Sequence, residues 1–384
     1  MNEDKSTRYH RLKRRFTLLG LAWRALLLSG MLWTGLSTAL RDAATTTSAI
    51  VAPQVAPGVG VVLYMLVLLL LNELGSWPLA YYGGFELEDR YGLSEQSYRS
   101  WMTDQLKSIA LGGALSIGGA LLLYAMIAIS PGAWWLTAGI AFAIVAAALT
   151  RVGPVLLLPL FYAVKPLERE SLRARLVALA DRAGASVVGA YEWSVSGKTR
   201  KANAALAGLG ATRRIFVSDT MLASYSDDEV EVVLAHELGH HVHGDIWKGL
   251  AIQTGIILLG FAAGDLVLSA VGSRLGVTAP GDVAGLPAIL LAFGAVSGVS
   301  MPLQFAFMRL CERRADRFAL TLTRNPDAFI SAMRRLGAQN LAEPKPSRLV
   351  QWLFYSHPPI DERISSARSF RPGAPGRAIP AGAR

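Results

Sequence analysis

Four of the six histidines of this 384-residue chain lie within eight positions, in Leu234-Ala-His236-Glu237-Leu-Gly-His240-His241-Val-His243. Ser226-Asp-Asp-Glu229 upstream has the form of a capping box, so a helix is expected to start there, and Gly244 is a natural residue to end it. In that helix His236 and His240 stand at i and i+4 on one face, where both imidazoles can reach a single metal ion. Glu237 beside them can take a proton from water whose pKa zinc lowers to roughly 7, and can pass it to a leaving amine. That is the chemistry of peptide-bond hydrolysis. The plainer reading is a solvated helix end that happens to be rich in histidine. His243 is about 10 Å further along the axis than His236, so His243 and His241 are read as non-ligands.

A catalytic zinc needs a third protein ligand and an open position. With histidine nearly exhausted, a carboxylate is expected. In Arg309-Leu-Cys-Glu312-Arg-Arg-Ala-Asp316, Glu312 and Asp316 are one helical turn apart, so Glu312 can bind metal while Asp316 accepts an N–H from a ligating histidine. Spacing alone leaves this level with a surface helix whose acids pair with Arg313, Arg314 and Arg317. Further on, two prolines hold His357 in Ser356-His-Pro-Pro-Ile-Asp-Glu-Arg363, and Arg363 could bring positive charge to an oxyanion. A lone histidine here could equally be an ordinary loop residue.

The elements that position these groups are mostly apolar. Hydrophobic residues make up 52% of the chain and charged ones 17%, which places it among membrane proteins. The net charge of +10 sits beside the apolar runs, as the positive-inside rule requires, and does not indicate nucleic acid. The single cysteine, Cys311, excludes an intrachain disulfide and a multi-cysteine metal cluster, and is expected to be a buried helix residue.

Six spans are expected. A basic cytosolic segment, 1–15, precedes helices 1–4 in 16–164. The first spans about 16–39, a Thr/Pro/Ala-rich connection covers 43–57, and the second spans 58–79 with Asn72 and Glu73 facing a cavity or another helix. An amphipathic cytosolic loop with a short helix occupies 80–107. The third span is 108–129 and the fourth starts at 134, with Pro154 and Pro159 kinking it or ending it near Arg151. Gly112, Gly113, Gly118 and Gly119 either serve close helix packing or are incidental. A soluble region, 165–245, holds a helix over 168–183, strands at Val187-Val188 with 190–193 and at 214–217, and an edge strand within 194–210. Spans five and six fill 246–308. The second part of the soluble domain, 309–371, follows, and then a disordered tail, 372–384. Loops rich in Lys and Arg fall on one side, which puts the N-terminus and the metal helix in the cytoplasm.

Taken together, His236-Glu-x-x-His240, a membrane hairpin, Glu312-x-x-x-Asp316 and His357-Pro-Pro with Arg363 resemble the type I CAAX prenyl endopeptidases. The likeness extends upstream to Glu88-Asp-Arg-Tyr-Gly-Leu-Ser with Trp101-x-x-Asp104-x-x-Lys107, to Pro159-Leu-Phe161 with Pro166-Leu167, and to Asn203-Ala204 through Arg213-Arg-Ile-Phe-Val-Ser-Asp219-Thr220. The resemblance implies a mainly α-helical multi-pass membrane protein with a hydrophilic chamber, capped by a cytosolic α+β zincin-like metallopeptidase domain. It implies one Zn2+ per chain held by His236, His240 and Glu312, with Glu237 as general base and Asp316 supporting a histidine. Asn203 and Ala204 would line the substrate on an edge strand, and His357 and Arg363 would stabilise the tetrahedral intermediate. The expected partners are a peptide or protein substrate and the bilayer. Six spans stand against the seven usual in that family, the shortfall lying near the N-terminus. The Ala, Gly, Leu and Arg bias indicates a bacterial inner membrane, where prenylated substrates are not expected. A quality-control membrane protease and a non-catalytic scaffold stabilised by zinc are the competing readings. The intact Glu237 argues against the second, because a structural zinc has no use for a base.

Overall fold

The computed structural model describes residues 4–208 and 213–371. The expected disordered tail and the end of the 194–210 stretch lie outside them. Two helices, α1 (Lys5–Trp33) and α2 (Leu36–Val51), open the chain. Gly35 between them has φ +75°, a left-handed conformation that interrupts the helix without a side-chain clash. The connection expected over 43–57 is therefore largely helical, and the first apolar run is a broken helix. The Trp23 indole donates to the Asn72 carbonyl, Ser37 and Tyr64 share a hydrogen bond, and the Ser48 hydroxyl lies against Gly60. These contacts show α1 and then α2 running antiparallel to α3 (Ala56–Ala80), and α1 by itself is long and apolar enough to cross a membrane. At sixteen residues α2 is about 24 Å long, short of the roughly 30 Å hydrocarbon core.

A π-helical stretch (Tyr81–Glu86) and α4 (Leu87–Arg90) follow. Then come α5 (Tyr98–Ile129), which begins ten residues before the expected third span, and α6 (Trp134–Leu156). The latter runs on past Arg151 and Pro154, and a short α7 (Leu158–Phe161) leads to the sheet. Among the four glycines of α5, Gly112 and Gly118 face open space, so they do not mediate packing. The intimate contacts lie elsewhere. Gly260 and Gly264 of α11 (Asp245–Val271) abut Phe293 and Ile289 of α12 (Leu286–Thr323). Among the described residues, six helical segments are long and apolar enough to cross a membrane. Their shared core centres on Tyr64 and Trp134, and the Trp134 indole donates to Asp265, the acid inside the fifth run.

The second core belongs to the soluble half. The strands are β1 (Ala163–Pro166), β2 (Ala190–Ser194), β3 (Ala204–Ala207) and β4 (Arg214–Ser218), in the order β1-β2-β4-β3. Only the β2–β4 pair is parallel. Val187-Val188 is not a strand, and β1 was not expected. β3 is at the sheet edge, where the stretch containing Asn203 and Ala204 was placed. Helix α8 (Glu170–Arg182), the short α9 (Asp219–Ser224), α10 (Asp227–Val242) and α13 (Pro326–Gln339) pack with the sheet around Leu172, Leu234 and Phe329. Two further helices, α14 (Arg348–Phe354) and α15 (Ile360–Arg368), complete it. Cys311 is buried on α12, as expected.

Candidate metal centre

Helix α10 begins as its sequence dictates. Ser226 accepts from the Glu229 N–H, and the Glu229 carboxylate accepts from the Ser226 N–H, completing the capping box. Gly244, at φ +65°, ends it. One face of α10 lies against α12, and small residues set the distance. A Cβ on Gly239 would come within 2.9 Å of the Ala315 Cα, so the two backbones nearly touch. Ala315 lies between Glu312 and Asp316, and this approach carries both acids to the histidines.

His236, His240 and Glu312 offer ligand atoms that all lie within 4.8 Å of one another. The two Nε2 atoms are 3.3 Å apart, with Glu312 Oε2 3.3 Å from that of His236 and Glu312 Oε1 3.3 Å from that of His240. The outer ring nitrogens fix the tautomers. His236 Nδ1 donates to Asp316 Oδ1 at 2.8 Å, and His240 Nδ1 donates to Asp245 Oδ2 at 3.0 Å. In the neutral rings both Nε2 lone pairs then point into the same space, where Glu312 Oε2 is buried without a hydrogen-bond partner. Lone pairs converging with no proton between them call for a cation. Tetrahedral zinc, with bonds of about 2.0–2.1 Å, separates neighbouring ligand atoms by about 3.3–3.4 Å, so the spacing fits. Although burial pulls the His236 pKa down, Asp316 and Glu312 raise it to about 9, a sign that the cradle favours positive charge.

Glu237, half-buried on the same helix, is held above the ordinary glutamate value by burial. Arg363 is buried and spends its guanidinium on Asp316, Nε to Oδ2 at 2.9 Å and Nη2 to Oδ1 at 2.5 Å. It stands behind His236, 3.2 Å from Nδ1, with both donors sharing the one carboxylate. Nothing of this kind covers His357. Its side chain is 60% exposed, Nε2 is 3.2 Å from Glu312, Nδ1 meets the Ser356 hydroxyl, and burial of the surrounding loop lowers its pKa. Asn203 is exposed, its carbonyl accepts from the Ser218 N–H and its N–H donates to Ser218 Oγ, and Ala204 starts the edge strand opposite Val217. His243 donates Nδ1 to the Gly239 carbonyl and points away from the cradle, in keeping with its reading as a non-ligand.

Four residues escaped the sequence reading. Asp245 orients His240 and also pairs with Arg314 at 2.8 Å; its position one past the helix-ending glycine was the available signal. Lys198 and Lys201, on the loop before Asn203, bond Asp104 at 2.6 Å and Glu88 at 2.8 Å. The block 88–107 thus holds the loop that leads into the edge strand. Arg309, buried where α12 meets the soluble half, donates to the carbonyls of Gln351 and Tyr355, at 3.1 and 2.6 Å, and so fixes the end of α14 just before His357.

Comparison with known proteins agrees with this architecture. Residues 166–371 match the model of peptidase family M48, and residues 2–163 match that of the CAAX prenyl protease N-terminal region with five membrane helices. Four of the six candidate spans lie within residues 2–163, against the five membrane helices of that model. The chain is 31% identical over 308 residues to the uncharacterized metalloprotease YhfN of Bacillus subtilis, covering 79% of this chain and 72% of the relative. It is 35% identical over 176 residues to CAAX prenyl protease 1 of Saccharomyces cerevisiae, covering 44% of this chain and 38% of that one. The crystal structure of S. mikatae Ste24p superposes with a TM-score of 0.82 at 23% identity, covering 94% of this chain and 87% of the other, and so shares the fold. The chain therefore belongs to peptidase family M48, in the group of multi-pass membrane metalloproteases that includes the CAAX prenyl proteases.

Proposed function

We propose that this protein is a zinc endopeptidase that cuts peptides or membrane-associated proteins at the cytoplasmic face of a bacterial inner membrane. The observation that carries the proposal is the convergence of the His236, His240 and Glu312 lone pairs at tetrahedral spacing, with tautomers set by Asp316 and Asp245. Zinc held there would polarise the scissile carbonyl and lower the pKa of the attacking water. Glu237, kept basic by its burial, takes the proton from that water and delivers it to the departing amine. A substrate segment added to the free edge of β3, beside Asn203 and Ala204, is held extended by main-chain bonds. His357, open to that space, stabilises charge developing on the carbonyl oxygen. Arg363 acts from behind by fixing Asp316, since its donors are committed there. Helical spans whose basic loops share one side support the cytoplasmic orientation.

Substrate choice is tested by hydrolysis of two matched fluorogenic peptides, one farnesylated at a C-terminal CAAX cysteine and one not, with Glu237→Gln alongside. The relatives named CAAX prenyl protease 1 make the farnesylated peptide the first to try. We expect both to be cut, and the variant to lose about 10²–10⁴-fold in rate while keeping its zinc. Cleavage of the farnesylated peptide alone would replace the broad reading with prenyl-specific processing. Undiminished cleavage by Glu237→Gln would overturn the mechanism.

A further inference from the structure

Helix α12 is 38 residues, about 57 Å, and crosses roughly 30 Å of hydrocarbon within its first twenty residues. The water boundary then falls near Ala306. A second marker agrees. Gly264 packs on Ile289 and Gly260 on Phe293, so the antiparallel α11 brings Trp247 and Lys248 to the level of Ala306. Trp247 is 62% exposed, and an exposed Trp beside a Lys marks the headgroup layer.

At this level α12 and α14 flank an open groove of about 360 Å³ lined by Ala306, Arg309, Leu310, Arg313, Arg348, Gln351 and Trp352. Its apolar wall continues the lipid-facing stripe of α12, where Leu303 is 72% exposed, through Leu310 to Trp352. Its outer end carries two arginines. Arg313 has one ion pair, to the exposed Glu362, and Arg348 extends into solvent. A groove that is apolar towards the hydrocarbon and cationic about two turns beyond its edge matches a phospholipid with a net negative headgroup.

We infer that this groove is a binding site for one anionic phospholipid, with its phosphate between Arg313 and Arg348 and its chain along Leu310 and Trp352. The lipid pins α14 at the interface. Because Arg309 ties the end of α14 to α12, and His357 follows three residues after α14, an occupied groove fixes the height of His357 over the metal cradle. This last link rests on the function proposed above; the binding itself does not.

The test begins without catalysis. Delipidated protein in detergent is titrated with phosphatidylglycerol, phosphatidylcholine and inorganic phosphate, and bound species are counted by native mass spectrometry. One phosphatidylglycerol is expected to be retained at concentrations where phosphatidylcholine is lost, with each of Arg313→Gln and Arg348→Gln weakening it about fivefold and zinc content unchanged. Equal retention of the two lipids, or retention unaffected by the substitutions, overturns the site. Phosphate binding as tightly as the lipid would make it a soluble-anion site and overturn it too. In nanodiscs, phosphatidylglycerol should raise kcat on an uncharged peptide several-fold over phosphatidylcholine alone, and Arg348→Gln should abolish the rise. Specific lipid retention with no change in kcat would refute the link to His357.

Discussion

The metal cradle and the rim proposed to meet substrate, His357 and Asn203, are built in opposite ways. The side chains of His236, Glu312, Asp316 and Arg363 are each less than a tenth exposed, and every outward-facing donor among them is bonded. They stand on α10, α12 and α15, the first two in close contact through Gly239 and Ala315. His357 and Asn203 are open to solvent, and what holds them comes from the membrane half: Glu88 and Asp104 through Lys201 and Lys198, and Arg309 through α14. The cradle is finished before anything binds. The rim waits for substrate and can be moved from the bilayer.

The sharpest way to break the contrast is Asp316→Asn. It removes the charge that pairs with buried Arg363 and disturbs the tautomer of His236. Zinc affinity should drop about 10–100-fold by equilibrium dialysis, and the protein should lose about 3–5 kcal/mol of stability. His357→Ala strikes the rim instead: kcat should fall about 10²–10³-fold with zinc content and KM nearly unchanged. A variant that also lost zinc would show that the rim is part of the cradle. Asp104→Asn cuts a rim tether whose partners are partly exposed, so a KM rise of only a few-fold is expected, shrinking as salt is added. The smallest effect is structural. Glu229→Gln removes the acid that caps α10 and bonds Ser331 and Arg335, for about 1–2 kcal/mol at pH 7. Although burial opposes it, Ser331, Ser226 and Arg335 hold the Glu229 pKa below its ordinary value. Its contribution is therefore full above about pH 4.3 and is lost as pH falls through the folded value, so thermal scans of the two proteins should converge in acid.

The same contrast decides how much was readable. Everything local to α10 could be read directly: the cap, the stop at Gly244 and the pairing of His236 with His240 follow from spacing on one helix. Glu312 could not, because periodicity leaves a surface helix equally open, and only its place beside the other motifs of the family singled it out. The contact that brings it home, Gly239 on Ala315, joins residues 76 apart by smallness alone. Rim tethers such as Lys201 to Glu88 span still longer separations and have no local signature. Arg363 was expected at an oxyanion because its charge was visible, while Asp316, which takes up that charge, could be placed only by folding. α2 was hidden for a different reason: its second half reads by composition as a Thr/Pro/Ala-rich connection, although the helix is amphipathic and buries Ser37, Ala44 and Ser48.

The continuity of α12 has a further consequence. The rod that crosses the bilayer also carries Glu312, six residues past the level of Trp247, so the metal cradle is fixed about 9 Å beyond the hydrocarbon edge. On the function proposed above, the protein is thereby a ruler. It would select bonds by their height above the membrane before any side chain is inspected, and a chain emerging from the bilayer would offer only its first few residues to be cut.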